Sequence, residues 1–363
     1  MKKKYHPSVF IDLSKAFDTV NHHILLRKLE ISGVRGNALD WFGSYLADRE
    51  YYVRIGSCNS SSKCINIGLP QGSILGPILF LVYINELPNV SNLLQPILFA
   101  DDTTVSLCGK DFDSLNYNLN IELNKIHQWT ISNRLSINAN KSEFLLITKR
   151  PVDRNQSSVI LGHHRLVPSN FCRFLDVTVD EKLNFSKHIE NVSSKLAKNA
   201  RILYRIRDSL PLSARLHFYY AFVYPYLSYN VIIWGGCSST HIKPIITLHK
   251  RIIRTMCNSQ RLDHSSPLFR NLKLLKFEDI YKYSMCIHMH KAVADGHFGV
   301  IHDRNTRNNN LASSEFHRLT ICQRAVSYRG PLIWNSLPLH LRTIESLPSF
   351  KNKLKLYFLS HYL

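Results

Sequence analysis

The sequence holds 363 residues, 45% hydrophobic and 20% charged, which gives enough apolar material for two or three cored domains and excludes a mostly disordered chain. Lys and Arg number 46 against 26 Asp and Glu, a formal net charge of +20, which points to an anionic partner, either nucleic acid or an acidic membrane surface. The eight cysteines are scattered without a CxxC pair, so neither a zinc knuckle nor a disulfide framework is indicated, and reduced thiols inside the cell are expected.

The basic start MKKKYHPSVFID is no signal peptide, because Pro7, Ser8 and Asp12 cut the apolar run short. Val9 to Leu13 predicts a short strand, and Val20 to Leu46 predicts helix broken near Gly33 and Gly36. YYVRIG and CINIG read as two strands joined by serines over Asn59 to Ser62. Ser73 to Leu87 is helical in pattern, and PILFADDTTVSL reads as strand, turn, strand. Asp113 to Trp129 predicts an amphipathic helix with Leu115, Leu119, Leu123 and Ile126 on one stripe. Leu145 to Thr148 is a further strand, and Phe174 to Val179 another after an irregular stretch.

Beyond Asp180 the pattern turns to basic helices. Ile189, Val192, Leu196, Ala200, Leu203, Ile206 and Leu210 step by three or four, while Lys195, Lys198, Arg201, Arg205 and Arg207 occupy other faces. The longest apolar run, Phe218 to Trp234, holds Pro225 and Asn230 and reads as soluble core rather than a membrane span, so a membrane or secreted protein is not expected. A second basic helix carries Lys243, Lys250, Arg251 and Arg254. These helices are either a solvated face or a surface for phosphates. Residues 295–315 read as a polar linker, and Phe350 to Tyr357 as a last basic helix.

Three aspartates in two apolar strand settings stand out. Asp12 ends VFID, and Asp101 with Asp102 sits at the turn of LFADD. A carboxylate in a buried strand is costly unless paired or bound to metal. Carboxylates from two neighbouring strands could hold two Mg²⁺ (or Mn²⁺) ions ~3.5–4 Å apart. Alternation along a strand makes Asp12 and Asp101 the firmer ligands, with Asp102 joining if the turn bends it inward. Asp-Asp pairs are also common as solvated turn residues. Cys286 and His290, spaced i,i+4, could share a metal, with a structural role as the plainer reading.

IDLSKAFDTV, GLPQGSILGPILFLVYINELP, LFADD, LSINANKSEFLLI and FLDVTVDEKLNFSKHI occur in an order that resembles the reverse transcriptases of non-LTR (LINE-like, jockey-like) retrotransposons. The resemblance continues into SSPLFRNLKLLKFEDI and YRGPLIWNSLPLHLRTIESLPSFKNKLKLYF, the tail that follows the polymerase in such elements. It implies an α+β fold: a right-hand polymerase palm, an antiparallel sheet with flanking helices, followed by thumb-like and C-terminal helices, the fingers largely missing. The divisions expected are a palm with partial fingers over 1–180, a basic thumb-like region over 181–260 and a C-terminal helical region over 261–363.

The resemblance implies RNA-directed DNA synthesis from dNTPs on an RNA template and a DNA primer, with Mg²⁺ or Mn²⁺ held by Asp12, Asp101 and Asp102. It places Phe17 as a steric gate against a ribose 2′-hydroxyl, although an aromatic ring there also suits the core. It places Gln71 and Gly72 where template and nucleotide approach the backbone, and Lys141 beside the leaving pyrophosphate. Lys195, Lys198, Arg201, Arg205, Lys250, Arg251 and Arg254 are the expected phosphate contacts. The family's Leu-Gly before the thumb reads Leu175-Asp176 here, which puts a negative charge near the primer. A catalytically inactive nucleic-acid-binding remnant is the alternative from another class. An RNA-directed RNA polymerase is a further one, and a bulky Phe17 argues against it.

Overall fold

The computed structural model describes residues 4–148, 150, 158–296, 312 and 320–362, arranged as two units, 2–174 and 175–363. The first is mixed α and β, and the second is almost wholly helical. The expected polar linker at 295–315 lies almost entirely outside the described residues.

The first unit is built on a four-stranded antiparallel sheet in the order β6-β7-β1-β8: β1 (His6–Ile11), β6 (Gln95–Phe99), β7 (Asp102–Ser106) and β8 (Glu143–Ile147), the other elements following below. Val9, Ile11, Val105, Phe144 and Leu146 point to one face and are buried. The helices in this unit are α1 (His22–Ile31), α2 (Asn37–Leu46), α3 (Leu75–Ile84) and α4 (Phe112–Ser132). The stripe Leu115, Leu119, Leu123 and Ile126 of α4 is buried as its spacing requires, and Leu79, Phe80 and Tyr83 of α3 share that core. Asn21 Oδ1 accepts from the Ile24 N–H to start α1, and Asp111 Oδ2 accepts from the Ser114 N–H to start α4.

A buried lysine ties three of these helices together. Lys28 Nζ donates to the Tyr83 carbonyl at 2.7 Å, lies 3.1 Å from Glu86, and sits over the rings of Tyr83 and Trp129. Burial pushes its pKa down and the Glu86 carboxylate opposes that shift.

Three readings need correction. The segment after α2 is one hairpin in two stages: β2 (Arg49–Tyr51) pairs with β5 (Lys63–Ile65), and β3 (Arg54–Ile55) with β4 (Cys58–Asn59). The turn therefore falls at Gly56-Ser57, with Gly56 at φ 60, and not in the serines. The stretch taken as irregular holds β9 (Val159–Leu161), β10 (His164–Leu166) and β11 (Phe171–Phe174), too short for a periodic signal. The strand expected over Phe174 to Val179 is broken, because Leu175 and Asp176 both have positive φ, 44 and 63. β12 (Val177–Asp180) starts after that turn.

The second unit continues with α5 (Ser186–Ile206), α6 (Leu212–Phe222), α7 (Tyr224–Ser228), α8 (Val231–Trp234), α9 (Ser239–Met256) and α10 (Ser265–Asn271). It ends with α11 (Phe277–Ala294), α12 (Thr320–Gln323), α13 (Val326–Asn335), α14 (Leu339–Arg342) and α15 (Leu347–Ser360). Ile189, Val192, Leu196, Ala200 and Leu203 of α5 are buried, and this helix packs on α9. The Phe218 to Trp234 run is helical with both faces in use: Tyr219, Val223, Leu227 and Trp234 are buried, while Tyr220, Phe222 and Tyr229 are exposed. Among the described residues no helix is long and apolar enough to cross a membrane. Cys286 and His290 do not gather as ligands: Cys286 is buried in the core, and His290 Nε2 donates to the Ile344 carbonyl and stacks on Phe350.

Candidate active site

Register brings the predicted aspartates to one end of the sheet. Ile11 of β1 stands opposite Thr103 of β7, so Asp12 follows immediately where β7 begins with Asp102. Phe99 pairs with Asp102, which leaves Ala100 and Asp101 as a two-residue hairpin turn. Ala100 has φ 52, a left-handed conformation that costs a non-glycine residue on the order of 1 kcal/mol. Asp12 is half-buried, whereas Asp101 and Asp102 are exposed. The turn expected at LFADD is present, and of the two readings of the pair their exposure matches the solvated turn rather than a buried strand.

Asp12 is fixed through its main chain. Its N–H donates to Ser142 Oγ at 3.1 Å, and its carbonyl accepts from the Asn138 N–H at 2.8 Å. Ser142 Oγ in turn donates to the Asn138 carbonyl at 2.9 Å. Beyond Asp12 the chain stays paired, with Leu13 bridged to Ile137 and the Ser14 N–H donating to the Ser136 carbonyl. Lys141 closes this same turn, its N–H donating to the Asn138 carbonyl, and its side chain is exposed. The turn that holds Asp12 is thus the one that carries Lys141.

Phe17 lies in a 3₁₀ turn, Ala16–Thr19, entered through Lys15 at φ 48. Its ring stacks on Phe80 with centroids 4.5 Å apart, one face in the core, the residue half-buried. The GLPQG loop is laced to this turn: the Gly68 N–H donates to the Val20 carbonyl at 2.7 Å and the Leu69 N–H to the Phe17 carbonyl at 2.8 Å. His22 Nε2 donates to the Gly68 carbonyl at 2.7 Å. Gly68, at φ +88, admits no side chain, since a Cβ there would lie 2.7 Å from the Asp18 carbonyl oxygen. Gly72 differs: its φ of +81 also requires glycine, but a Cβ there would meet open space. Gln71 is exposed and its Nε2 donates to Asp18 Oδ1 at 2.8 Å.

The structure therefore brings Asp12, Asp101, Asp102 and the Lys141 turn to the end of one sheet, and couples Phe17 to the Gln71–Gly72 loop. Sequence reasoning missed Asp18, Gly68, Asn138 and Ser142. Their signal was present in the same blocks, within three residues of Phe17, Gln71 and Lys141.

The carboxylates suit a hard divalent cation. Mg²⁺ commonly takes one or two protein carboxylates and completes its shell with water and substrate phosphates. Asp12, with one aspartate of the Asp101–Asp102 pair at the same end of the sheet, would supply that number. Among the described residues no group of three or more His, Cys, Asp or Glu side chains converges enough to hold a metal.

The expected phosphate contacts lie in the second unit. Lys195, Lys198, Arg201 and Arg205 are exposed along one face of α5, and Lys195 sits over the Tyr226 ring at 5.1 Å. On α9, Arg251 is exposed, while Lys250 and Arg254 are half-buried. Arg254 Nε donates to the Asp263 carbonyl at 2.8 Å, so that guanidinium is already engaged.

The profile of the family described as reverse transcriptase (RNA-dependent DNA polymerase) matches residues 1–185. The chain is 30% identical over 297 residues to the probable RNA-directed DNA polymerase from transposon X-element of Drosophila melanogaster, covering 79% of this chain and 32% of that protein. It is 28% identical over 290 residues to the RNA-directed DNA polymerase from mobile element jockey of Drosophila melanogaster, covering 76% and 31%. The chain thus spans about a third of the length of these relatives. Among solved structures, telomerase from Candida albicans in complex with a telomeric RNA fragment matches over 75% of this chain and 47% of that chain, with 12% identity and a TM-score of 0.27.

Proposed function

The chain belongs to the reverse transcriptase (RNA-dependent DNA polymerase) family, and we propose that it carries the catalytic palm of a non-LTR retrotransposon polymerase that extends a DNA primer with dNTPs on an RNA template. The observation that supports this most is the register that sets Asp12 beside Asp102, with Asp101 in the hairpin turn that joins β6 to β7. In this reading residues 1–180 form the palm, 181–260 a thumb-like region and 261–363 the C-terminal helical region.

Asp12 and Asp101, with Asp102, would hold Mg²⁺ or Mn²⁺. A divalent cation held there would activate the attacking 3′-hydroxyl and neutralise charge on the leaving pyrophosphate. The remaining work is positioning, which supplies much of the rate in phosphoryl transfer. Asp12 is held at both main-chain groups, so its carboxylate starts from a fixed point. Gly72 lets the backbone meet a ligand closely on its open side. Phe17, backed by Phe80, presents a ring edge that excludes a 2′-hydroxyl. Lys141 would sit beside the leaving pyrophosphate as a cation and proton donor. Lys195, Lys198, Arg201, Arg205 and Arg251 contact phosphates of the template–primer.

The test is extension of a DNA primer on an RNA template with Mg²⁺ or Mn²⁺, comparing the wild-type chain with Asp101→Asn. Extension that is lost in the variant, with primer–template affinity retained, supports the reading. Extension at wild-type rate by Asp101→Asn would refute the metal assignment. Binding without any extension in either protein would favour the nucleic-acid-binding remnant.

A further inference from the structure

The hydrogen bond between Gln71 and Asp18 joins two exposed side chains that are 53 residues apart in the chain. It is not an incidental surface contact, because the backbone on both sides is locked. The Asp18 N–H donates to the Lys15 carbonyl at 2.9 Å. The carbonyls of Phe17 and Val20, which flank Asp18, accept from the N–H groups of Leu69 and Gly68. Gly68 presses against Asp18 so closely that any side chain at position 68 would collide with the Asp18 main chain. Asp18 therefore has a set position relative to the loop that carries Gln71.

The chemistry of the pair is directional. A carboxylate only accepts hydrogen bonds, so Asp18 fixes the carboxamide with its NH₂ inward. The other amide atom, Gln71 Oε1, accepts from no described residue. It can only accept, and phosphate oxygens also only accept, so it cannot serve a triphosphate. It fits an O–H or N–H donor of a nucleoside. Phe17, adjacent to Asp18, is the residue assigned to face the sugar.

We propose that Asp18 is a positioning residue which holds Gln71 Oε1 toward a hydrogen-bond donor on the nucleoside part of the incoming nucleotide. The inference rests on the polymerase reading of this site. Asp18 touches no reacting atom and acts through Gln71. Without the carboxylate, the amide turns freely and presents NH₂ as often as oxygen. Selection for a donor is then lost while the fold stays intact.

The experiment measures dNTP affinity of the full chain on primer–template with Mg²⁺. It compares wild type, Asp18→Ala, Asp18→Asn, Gln71→Ala and the Asp18→Ala/Gln71→Ala double variant, with a melting temperature for each. The two single alanine variants should each weaken dNTP binding about tenfold, the size of one lost hydrogen bond. The double variant should be no weaker than either, because the effect of Asp18 passes through Gln71. Asp18→Asn keeps an acceptor and should lie between. Repeating the series with 2′,3′-dideoxynucleotides separates the donors. If the loss is confined to the deoxynucleotide, the donor is the 3′-hydroxyl; an equal loss assigns it to the base. Wild-type affinity in Asp18→Ala, or additive losses in the double variant, would overturn the inference while leaving the polymerase reading intact. No dNTP binding by the wild-type chain would overturn both.

Discussion

The N–H of Asp12 donates to Ser142 Oγ at 3.1 Å, a contact between residues 130 positions apart. It joins the first predicted metal ligand to the turn that carries Lys141, through a buried hydroxyl that also donates to the Asn138 carbonyl. Ser142 thus links the Asp12 main chain to the turn that carries Lys141. Ser142→Ala leaves the Asp12 N–H without a partner, which costs about 1–3 kcal/mol when the group is shielded from water. A lower denaturant midpoint is expected, with a fall in primer extension larger than any fall in primer–template affinity. An unchanged midpoint and unchanged extension would show that the Asn138 contact alone holds Asp12.

Much of this arrangement was legible in the sequence. The apolar stripe of α4 and the strand–turn–strand around Asp101 come directly from periodicity and turn chemistry, since both signals are local. The exposure of Asp101 and Asp102 was left open between a buried strand end and a solvated turn, because apolar neighbours in a strand say nothing of where its hairpin turn ends. Phe99 at the end of β6 is itself exposed, so this edge has no cover on that side. Ser142 and Asp18 were passed over for another reason. Each acts by a hydrogen bond to a residue dozens of positions away, and no local pattern encodes such a partner. Leu175-Asp176 was noted as a departure from the family, but the positive φ of both residues appears only in the backbone.

In the proposed reading Phe17 would serve two functions at once. Its ring is half-buried against Phe80, so truncation removes packing as well as the gate. Phe17→Val is expected to raise incorporation of ribonucleotides relative to deoxynucleotides, and to lower stability by about 1–3 kcal/mol through lost burial and stacking. Competing rNTP against dNTP in primer extension reads the first effect, and urea unfolding the second. Lower stability with an unchanged rNTP to dNTP ratio would make Phe17 a core residue only.

His249 gives the second unit a pH dependence. It is buried between Tyr219 and Phe269, shares a 3.0 Å hydrogen bond with the Tyr219 hydroxyl, and burial pushes its pKa down to about 3. In the unfolded chain the ring titrates near its ordinary value of 6.5. Between these values the unfolded state binds the proton and the native state does not. Stability is thus fully present above about pH 6.5 and falls as pH drops toward 3, by up to about 1.4 kcal/mol per unit. His249→Gln, which keeps a polar partner for Tyr219, should flatten that acid limb. Thermal melts of the two proteins from pH 7 to pH 4 decide it, and parallel curves would assign the acid sensitivity elsewhere.

The α5 face makes the electrostatic prediction with the sharpest readout. Lys198, Arg201 and Arg205 are exposed, and no described carboxylate pairs with them in a salt bridge. Arg254, although on the other basic helix, already donates to the Asp263 carbonyl. Each phosphate neutralised on a duplex contributes about −0.9 to the slope of log K against log salt, and about −0.7 on a single strand, because counterions are released. Replacing Lys198, Arg201 and Arg205 with Ala should therefore make the slope shallower by up to about 2–3 and weaken binding on all sequences alike. Arg254→Ala should change the slope less than any one of these, and should instead lower the melting temperature by freeing the Asp263 carbonyl. Titrations of labelled primer–template across a salt series measure both. If the triple variant keeps the wild-type slope, the α5 cations are a solvated face, and phosphate contact must be sought on other residues of the second unit.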